Sequence, residues 1–235
     1  LLAEGTAVRA LVLPGEERTA LEGLPVEIVE GDVLDYASLQ AAMQGVEYVY
    51  HLAGVISILP GGSPLLKPIN VVGTRNVVHA ARQAGVRRFV YTSSIHALAR
   101  PPHGVIIDEK IPFDTLHAIG AYDYSKAAAS QIVIEAARQG LDAVVVCPTG
   151  VIGPYDFRLS EVGKVIQGIL QRKPQLLVDG AYDFVDVRDV ARGHILACKY
   201  GQSGESYILS GEQISLKQVV QVVQEFTGIR TLMVQ

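Results

Sequence analysis

Tyr122 and Lys126 have the residue types and the spacing that proton transfer requires. The stretch 126–138 that continues from them is rich in good helix formers, and residues four apart on a helix share one face. A phenol has a reference pKa of about 10. A neighbouring ammonium favours the phenolate, so we expect Lys126 to lower the Tyr122 pKa by on the order of two units. Such a pair suits reactions that interconvert an alcohol and a ketone.

The spacing alone is weak evidence, because an exposed Tyr and Lys on any helix surface give the same pattern. The elements that would position the pair therefore decide its meaning. Strand-like apolar runs alternate with helix-like segments through the first 150 residues. We predict strands at 7–13, 25–31, 46–54, 86–94 and 141–147, and helices at 16–22, 35–43, 69–84 and from Tyr122 to Arg138.

This alternation predicts an α/β protein with a doubly wound parallel sheet of the Rossmann type, covered on both faces. Ligands of such sheets bind beyond the carboxyl ends of the strands. Candidate functional residues collect at those predicted ends, namely Asp32, Ala53–Gly54, Ser93–Ser94 and 148–150. Packing alone does not explain four such sites around one crevice.

After Gly150 the regular alternation ends. A helix within 155–173, a short strand 184–187, a helix 188–199, a strand 206–209 and a helix 216–226 capped by Ser215 are predicted. We therefore expect an NAD(P)-binding domain over 1–150, to which 184–209 returns. A small substrate-covering region would comprise 151–183 and 210–235.

Composition excludes several classes of protein. With 49% hydrophobic and 19% charged residues the chain is globular, and a net charge of −4 gives no reason to expect nucleic acid as a partner. Cys147 and Cys198 share no close motif, which indicates a reduced, cytoplasmic setting. No apolar stretch is long enough to span a membrane. The histidines lack ligand spacing, so no metal site is predicted; they are His51, His96, His103, His117 and His194.

Six ordered motifs resemble the extended short-chain dehydrogenase/reductase superfamily, which includes nucleotide-sugar epimerases and dehydratases, dihydroflavonol reductases and 3β-hydroxysteroid dehydrogenases. The similarity is nearest to the last two. The motifs are Gly31-Asp32-Val33-x-Asp35, His51-Leu52-Ala53-Gly54, Asn70-Val71-Val72-Gly73-Thr74-Arg75-Asn76, Tyr91-Thr92-Ser93-Ser94, Tyr122-x-x-x-Lys126 and Pro148-Thr149-Gly150-Val151-Ile152-Gly153-Pro154.

The resemblance implies roles for individual residues, with NAD or NADP as the cofactor. Tyr122 would exchange a proton with the substrate, Lys126 would assist it and bond the nicotinamide ribose, and Ser94 would hydrogen-bond the carbonyl. The implied cofactor-binding residues are Asp32, Val33, Leu52, Ala53, Gly54, Asn70, Thr92, Ser93, Tyr122, Lys126, Pro148, Thr149 and Val151. The expected substrate contacts are Ser94, His96, Tyr155, Phe157 and Tyr182.

The chain departs from the family pattern at its start. The first strand and the Gly-rich pyrophosphate loop of the family are absent from these residues and would precede Leu1, with Leu1–Gly5 ending the helix that follows the loop. The predicted strand end at Leu13 carries neither an acid for NAD nor an Arg for NADP. Arg18, a few residues beyond, gives a slight preference for NADP. Relatives often form homodimers through the Asn70 and Tyr122 helices.

The leading hypothesis is a reductase or dehydrogenase acting on a ketone or secondary alcohol. One alternative is a nucleotide-sugar epimerase or dehydratase, and another is a regulator that senses NAD(P) without turnover. The segment 176–183 has two acids and no base, which disfavours a nucleotide diphosphate. We therefore expect an uncharged or weakly charged, partly apolar carbonyl substrate.

Overall fold

The computed structural model describes residues 1–57, 62–176 and 180–234. It is an α/β protein with parallel sheets, as predicted. The first part of the chain contains β1 (Arg9–Val12), β2 (Glu27–Glu30), α1 (Tyr36–Ala42), β3 (Tyr48–His51), a π-helical segment (Leu66–Gly73), α2 (Thr74–Ala84), β4 (Arg88–Thr92), α3 (Ala121–Arg138) and β5 (Ala143–Pro148).

The remainder contains shorter strands and three helices. They are β6 (Gly150–Ile152), α4 (Glu161–Leu170), β7 (Gln175–Leu176), β8 (Ala181–Asp186), α5 (Val187–Tyr200), β9 (Ser206–Leu209), β10 (Glu212–Ser215), α6 (Leu216–Thr227) and β11 (Met233–Val234). The predicted helix at 16–22 is wrong, because only a single 3₁₀ turn forms at Thr19–Leu21. A segment this short and exposed gains too little packing to offset helix nucleation.

The chain divides into two compact units, each built from two stretches of sequence. The first unit comprises Leu1–Pro148 and Arg192–Ile208, and the second comprises Thr149–Ala191 and Leu209–Gln235. Helix α5 therefore begins in the second unit and ends in the first.

The first unit is organised around a four-stranded sheet with the order β3-β4-β5-β9. Strands β3, β4 and β5 pair in parallel. All six residues of β5 are buried, as expected for a parallel strand covered on both faces. Strands β1 and β2 form a separate parallel pair among the described residues.

Local signals determine where several helices begin and end. Asp35 caps α1 by accepting a hydrogen bond from the Ala37 N–H. Helix α2 ends at Gly85, whose φ of 65° is in the left-handed region. As predicted, Ser215 caps α6, where it forms a capping box with Gln218.

The second unit contains a three-stranded sheet with the order β10-β8-β6. Strands β6 and β10 were not predicted from the sequence. Gly211 lets the chain come very close to β8, since a Cβ there would lie 2.1 Å from the Phe184 carbonyl oxygen. In the described ranges, no helix is both long and apolar enough to cross a membrane.

Gly73 fixes the distance between the π-helical segment and the residues after β2. A Cβ at this position would lie 2.6 Å from Val33 Cγ2. We predict that Gly73→Ala lowers the free energy of unfolding, because overpacking costs roughly 1–3 kcal/mol and helix propensity returns at most about 1 kcal/mol. The double variant with Val33→Ala should lose less stability than the sum of the two single variants.

Denaturant titration of the single and double variants measures this coupling. Gly120→Ala is the matched control, since a Cβ there would meet nothing within 4 Å. Additive losses for Gly73→Ala and Val33→Ala would contradict the proposed contact.

Candidate active site

Three loops leave the carboxyl ends of neighbouring parallel strands in the first unit. Leu52 follows β3, Ser93 follows β4 and Pro148 ends β5. The pairing of His51 with Tyr91 and of Thr92 with Val146 brings the ends of these strands to the same edge. The residues that follow β3, β4 and β5 therefore lie at one edge of the sheet, as predicted.

Helix α3 presents Tyr122 and Lys126 from successive turns at its start. Lys126 is only 6% exposed, and its ammonium donates a 2.5 Å hydrogen bond to the Thr92 carbonyl oxygen. Burial lowers the pKa of Lys126 to about 8, and the Cys147 thiol opposes this shift. The ammonium is therefore mostly protonated at neutral pH and held at the end of β4.

Tyr122 does not have the lowered pKa expected from the sequence. Burial raises the pKa of its phenol, a hydrogen-bonding interaction with the Ser94 side chain opposes the rise, and the Asp123 carboxylate adds to it. The lowering of the Tyr122 pKa expected from Lys126 is therefore wrong, because burial has the largest effect on the phenol. Tyr122 is therefore a protonated phenol beside the Ser94 hydroxyl.

The Asn70 side chain joins three segments of the site. Its amide nitrogen donates to the Val55 carbonyl at 2.9 Å, and its oxygen accepts from the Val55 N–H at 2.7 Å. The same nitrogen donates to Ser125 Oγ at 2.9 Å, and Ser125 Oγ donates to the Tyr122 carbonyl at 2.8 Å. Asn70 thus connects the chain beyond β3 with the first turn of α3.

Ser125 was not singled out from the sequence, although it lies between Tyr122 and Lys126. A hydroxyl three residues after Tyr122 can reach back to its carbonyl, and this is the signal that could have identified it.

The Ser93 side chain contacts buried groups of the protein, whereas the Ser94 side chain contacts Tyr122. Its hydroxyl lies 2.6 Å from Ser130 Oγ, and Ser130 donates to the Lys126 carbonyl at 2.8 Å. Burial raises the pKa of the adjacent Cys147 thiol to about 12, and a hydrogen bond with the Ser93 side chain opposes this. Cys147 therefore stays protonated behind the site.

Thr92 contributes both its carbonyl and its side chain. The carbonyl binds Lys126, and the hydroxyl lies 2.7 Å from His194 Nε2. His194 is buried on α5, so this histidine packs inside the first unit and also makes a polar contact with β4.

His96 lies next to Tyr122 and belongs to a charged cluster. Its ring meets the Tyr122 ring edge-on with centroids 6.2 Å apart, and its Nδ1 lies 3.4 Å from Asp123 Oδ1. The other Asp123 oxygen accepts from Arg100 at 2.9 Å. His96 and Ser94 are predicted substrate contacts that the structure brings beside Tyr122.

The predicted adenine end of the cofactor site follows β2. Asp32 Oδ1 accepts from the Leu34 N–H at 2.8 Å, and Val33 is 7% exposed, packed into the core of the first unit. Arg18 is ion-paired with Glu30, the last residue of β2. The basic residue suggested for NADP therefore already has a carboxylate partner.

Ala53 and Gly54 follow β3 in the first unit, and the remaining predicted residues belong to the second unit. Thr149 donates its N–H to the Leu209 carbonyl at 3.0 Å, and Val151 lies in β6. Tyr155 and Phe157 stack with centroids 6.4 Å apart. Tyr182 lies in β8 and is 57% exposed. Residues 177–179 of the acidic segment lie outside the described residues.

No group of three or more His, Cys, Asp or Glu is placed to hold a metal in the part of the chain that the structure describes.

A groove of about 750 Å³ is lined by residues of the π-helical segment, α2 and α3, including Arg75 and Tyr124. None of the predicted catalytic residues lines it.

The structure is an α/β fold in which Ser94, Tyr122 and Lys126 lie near the carboxyl edge of a parallel sheet. The family model for the NAD dependent epimerase/dehydratase family matches residues 1–210. The chain belongs to this family and is an enzyme of the NAD(P)-dependent oxidoreductase or epimerase class.

Individual relatives agree with this assignment. Sterol demethylase protein B from Methylococcus capsulatus is 40% identical over 228 residues, covering 97% of this chain and 69% of the relative. A protein from Synechocystis, provisionally named dihydroflavonol 4-reductase, is 38% identical over 233 residues, covering 97% and 68%. The crystal structure of gox2253 superposes with a TM-score of 0.89 at 32% identity, covering 99% of this chain and 72% of that one.

His51 makes the stability of the first unit depend on pH. Its Nε2 lies 2.9 Å from Thr74 Oγ1, and burial, together with the Lys126 charge, lowers its pKa to about 3. In the unfolded chain His51 binds a proton with a pKa near 6.5, whereas in the folded chain it stays neutral until the pH is much lower. Stability is therefore complete above that pH and falls as the pH drops from about 6.5 towards 3.

We predict that the free energy of unfolding of the wild type falls by about 2 kcal/mol more between pH 6.5 and 4.5 than that of His51→Gln. Urea titration across this range measures the difference. His103→Gln, which replaces an exposed histidine, is the control and should follow the wild type. Parallel curves for wild type and His51→Gln would show that His51 is not the group responsible.

Proposed function

We propose that this enzyme transfers hydride between a nicotinamide cofactor and a ketone or secondary alcohol. The proposal rests chiefly on one observation: the half-buried Tyr122 phenol lies beside the Ser94 hydroxyl at the start of α3, and burial raises its pKa. A phenol in this state can donate its proton to a carbonyl oxygen as negative charge develops there. The protonation state of Tyr122 favours the reductive direction.

Ser94 supplies a second donor for the same oxygen. Its Oγ accepts a hydrogen bond from the His96 N–H at 3.2 Å, and its hydrogen-bonding interaction with Tyr122 keeps the two hydroxyls side by side. Two donors directed at one carbonyl oxygen stabilise the charge that forms on it during reduction. Ser94 would orient the substrate, and Tyr122 would transfer the proton.

Space for a cofactor beside Lys126 supports the assignment of NAD or NADP. A Cβ on Gly54 would lie 3.2 Å from Asn70 Oδ1 and 3.9 Å from Lys126 Nζ, so the glycine leaves open a cradle lined by polar atoms. The bound cofactor would supply the hydride. Lys126 would bond its nicotinamide ribose, and Asn70 would hold the cradle in shape through Val55.

The preference between NAD and NADP is proposed to be modest. Arg18 could bind a 2′-phosphate only in competition with Glu30, its present partner. An Arg that must exchange one anionic partner for another gains little net free energy from the exchange.

The substrate is proposed to be an uncharged or weakly charged, partly apolar carbonyl compound. Tyr155, Phe157 and Tyr182 expose aromatic surface in the second unit. Two of its cations are paired with neighbouring acids, Lys164 with Glu161 and Arg188 with Asp186. The relatives named as a sterol demethylase and a dihydroflavonol reductase support a reductase more than a sugar-nucleotide enzyme.

Tyr122→Phe should abolish turnover and leave cofactor affinity nearly unchanged. The ring still packs and only the transferable proton is lost, so kcat should fall roughly 100-fold or more. NADPH and NADH oxidation with a panel of ketones measures kcat, and fluorescence titration measures cofactor affinity. Tyr124→Phe, two residues along the same helix, is the matched control.

Lys126→Met extends this test, because it should lower both kcat and cofactor affinity. A Tyr122→Phe variant that keeps more than about a tenth of the wild-type kcat would remove Tyr122 from the mechanism. Cofactor binding by the wild type without turnover of any ketone would instead favour the regulator that senses NAD(P).

Binding of nucleotide diphosphates separates the reductase from the epimerase or dehydratase. We predict that calorimetric titration of the cofactor-loaded protein with UDP, dTDP and GDP gives no binding in the micromolar range, because a diphosphate requires several directed cationic donors. Micromolar affinity for any of them, lost in Arg158→Ala, would favour the nucleotide-sugar enzyme.

A further inference from the structure

The Lys126 ammonium lies over the face of the Tyr91 ring, with Nζ 4.7 Å from the ring centroid. Tyr91 is in the middle of the four-stranded sheet and 1% exposed. A cation within about 6 Å of a ring centroid is attracted by the negative face of the ring, and the attraction is stronger when water is excluded.

The groups that surround Lys126 carry no negative charge at neutral pH. His51 on β3 is neutral, and the Cys147 thiol on β5 and the Tyr122 phenol on α3 are protonated. In the described ranges no carboxylate lies within ion-pairing distance of Lys126 Nζ, and its hydrogen bond is to the Thr92 carbonyl. A buried ammonium without a counter-ion needs another source of stabilisation.

We propose that Tyr91 is a positioning residue whose ring face holds the Lys126 ammonium in place and keeps it charged. Its consequence for catalysis rests on the proposed function, in which a charged Lys126 bonds the ribose. We assign this role to the ring because the ammonium lies over the ring face and its hydrogen bond is to the Thr92 carbonyl.

The sign of the effect follows from the electrostatics. The ring stabilises the ammonium and not the neutral amine, so it raises the pKa of Lys126 relative to the same site without a ring. Burial acts in the opposite direction and lowers the pKa of Lys126 to about 8. Weakening the ring face should therefore lower the Lys126 pKa further and shift the loss of charge to lower pH.

A series of replacements at position 91 tests the proposal. Tyr91→Phe keeps the ring, trifluorophenylalanine keeps its shape but weakens its negative face, and Tyr91→Leu removes the ring. The readout is the titration of Lys126 by NMR of protein labelled at lysine Cε, with the resonance assigned from Lys126→Arg. This measurement requires neither cofactor nor turnover.

The Lys126 midpoint should stay within a few tenths of a pH unit of wild type in Tyr91→Phe. In the trifluoro and Leu variants it should fall by roughly 0.4 to 1.5 units. Phe89→Leu is the matched control, since Phe89 lies two residues earlier on β4 and its ring contacts His51; it should leave the midpoint unchanged. The proposal is overturned if the Lys126 midpoint does not fall as the negative face of the ring at position 91 is weakened or removed.

Kinetics separates this inference from the proposed function. If the enzyme reduces ketones, the basic limb of kcat/KM should move to lower pH in the same order as the NMR midpoints. Midpoints that follow the ring series in a protein without turnover would support the role of Tyr91 and contradict the proposed function. Normal turnover with unshifted Lys126 midpoints would support the proposed function and contradict the role of Tyr91.

Discussion

The hydrogen bond from the Lys126 ammonium to the Thr92 carbonyl determines the geometry of the candidate site. It ties the second turn of α3 to the last residue of β4. Because Tyr122 lies one turn earlier on the same helix and Ser94 two residues further along the same strand end, this one bond places phenol and hydroxyl beside each other. This arrangement buries the Lys126 cation, and the protein stabilises it with neutral polar groups such as the Thr92 carbonyl.

Asn70 provides the second constraint on the same region. Its carboxamide oxygen accepts from the Val55 N–H, and its nitrogen donates to the Val55 carbonyl and to Ser125 Oγ. An amide that is 1% exposed and bonded in this way has one orientation only. The π-helical segment that carries Asn70 is thereby connected to α3, and the loop after β3 keeps a fixed shape beside Gly54.

Apart from the helix expected at 16–22, the elements of the first unit could be predicted from the sequence, because its strands are apolar and its helices carry clear start and stop signals. The spacing of Tyr122 and Lys126 also predicted their common origin on α3. The direction of the Tyr122 pKa could not be predicted, since it depends on burial and on where the Lys126 side chain points. The partners of Arg18 and Asn70 were equally inaccessible, because Glu30, Val55 and Ser125 are distant in sequence.

The division of the first unit into two stretches of sequence affects how the protein is made. Strand β9, the outer strand of its sheet, is synthesised after β6 and β8 of the second unit. Until residues 192–208 emerge from the ribosome, β5 has an unpaired edge, and an exposed apolar edge strand is prone to pair with other chains. During synthesis, the sheet beside the candidate site therefore remains exposed to aggregation until most of the chain has been made.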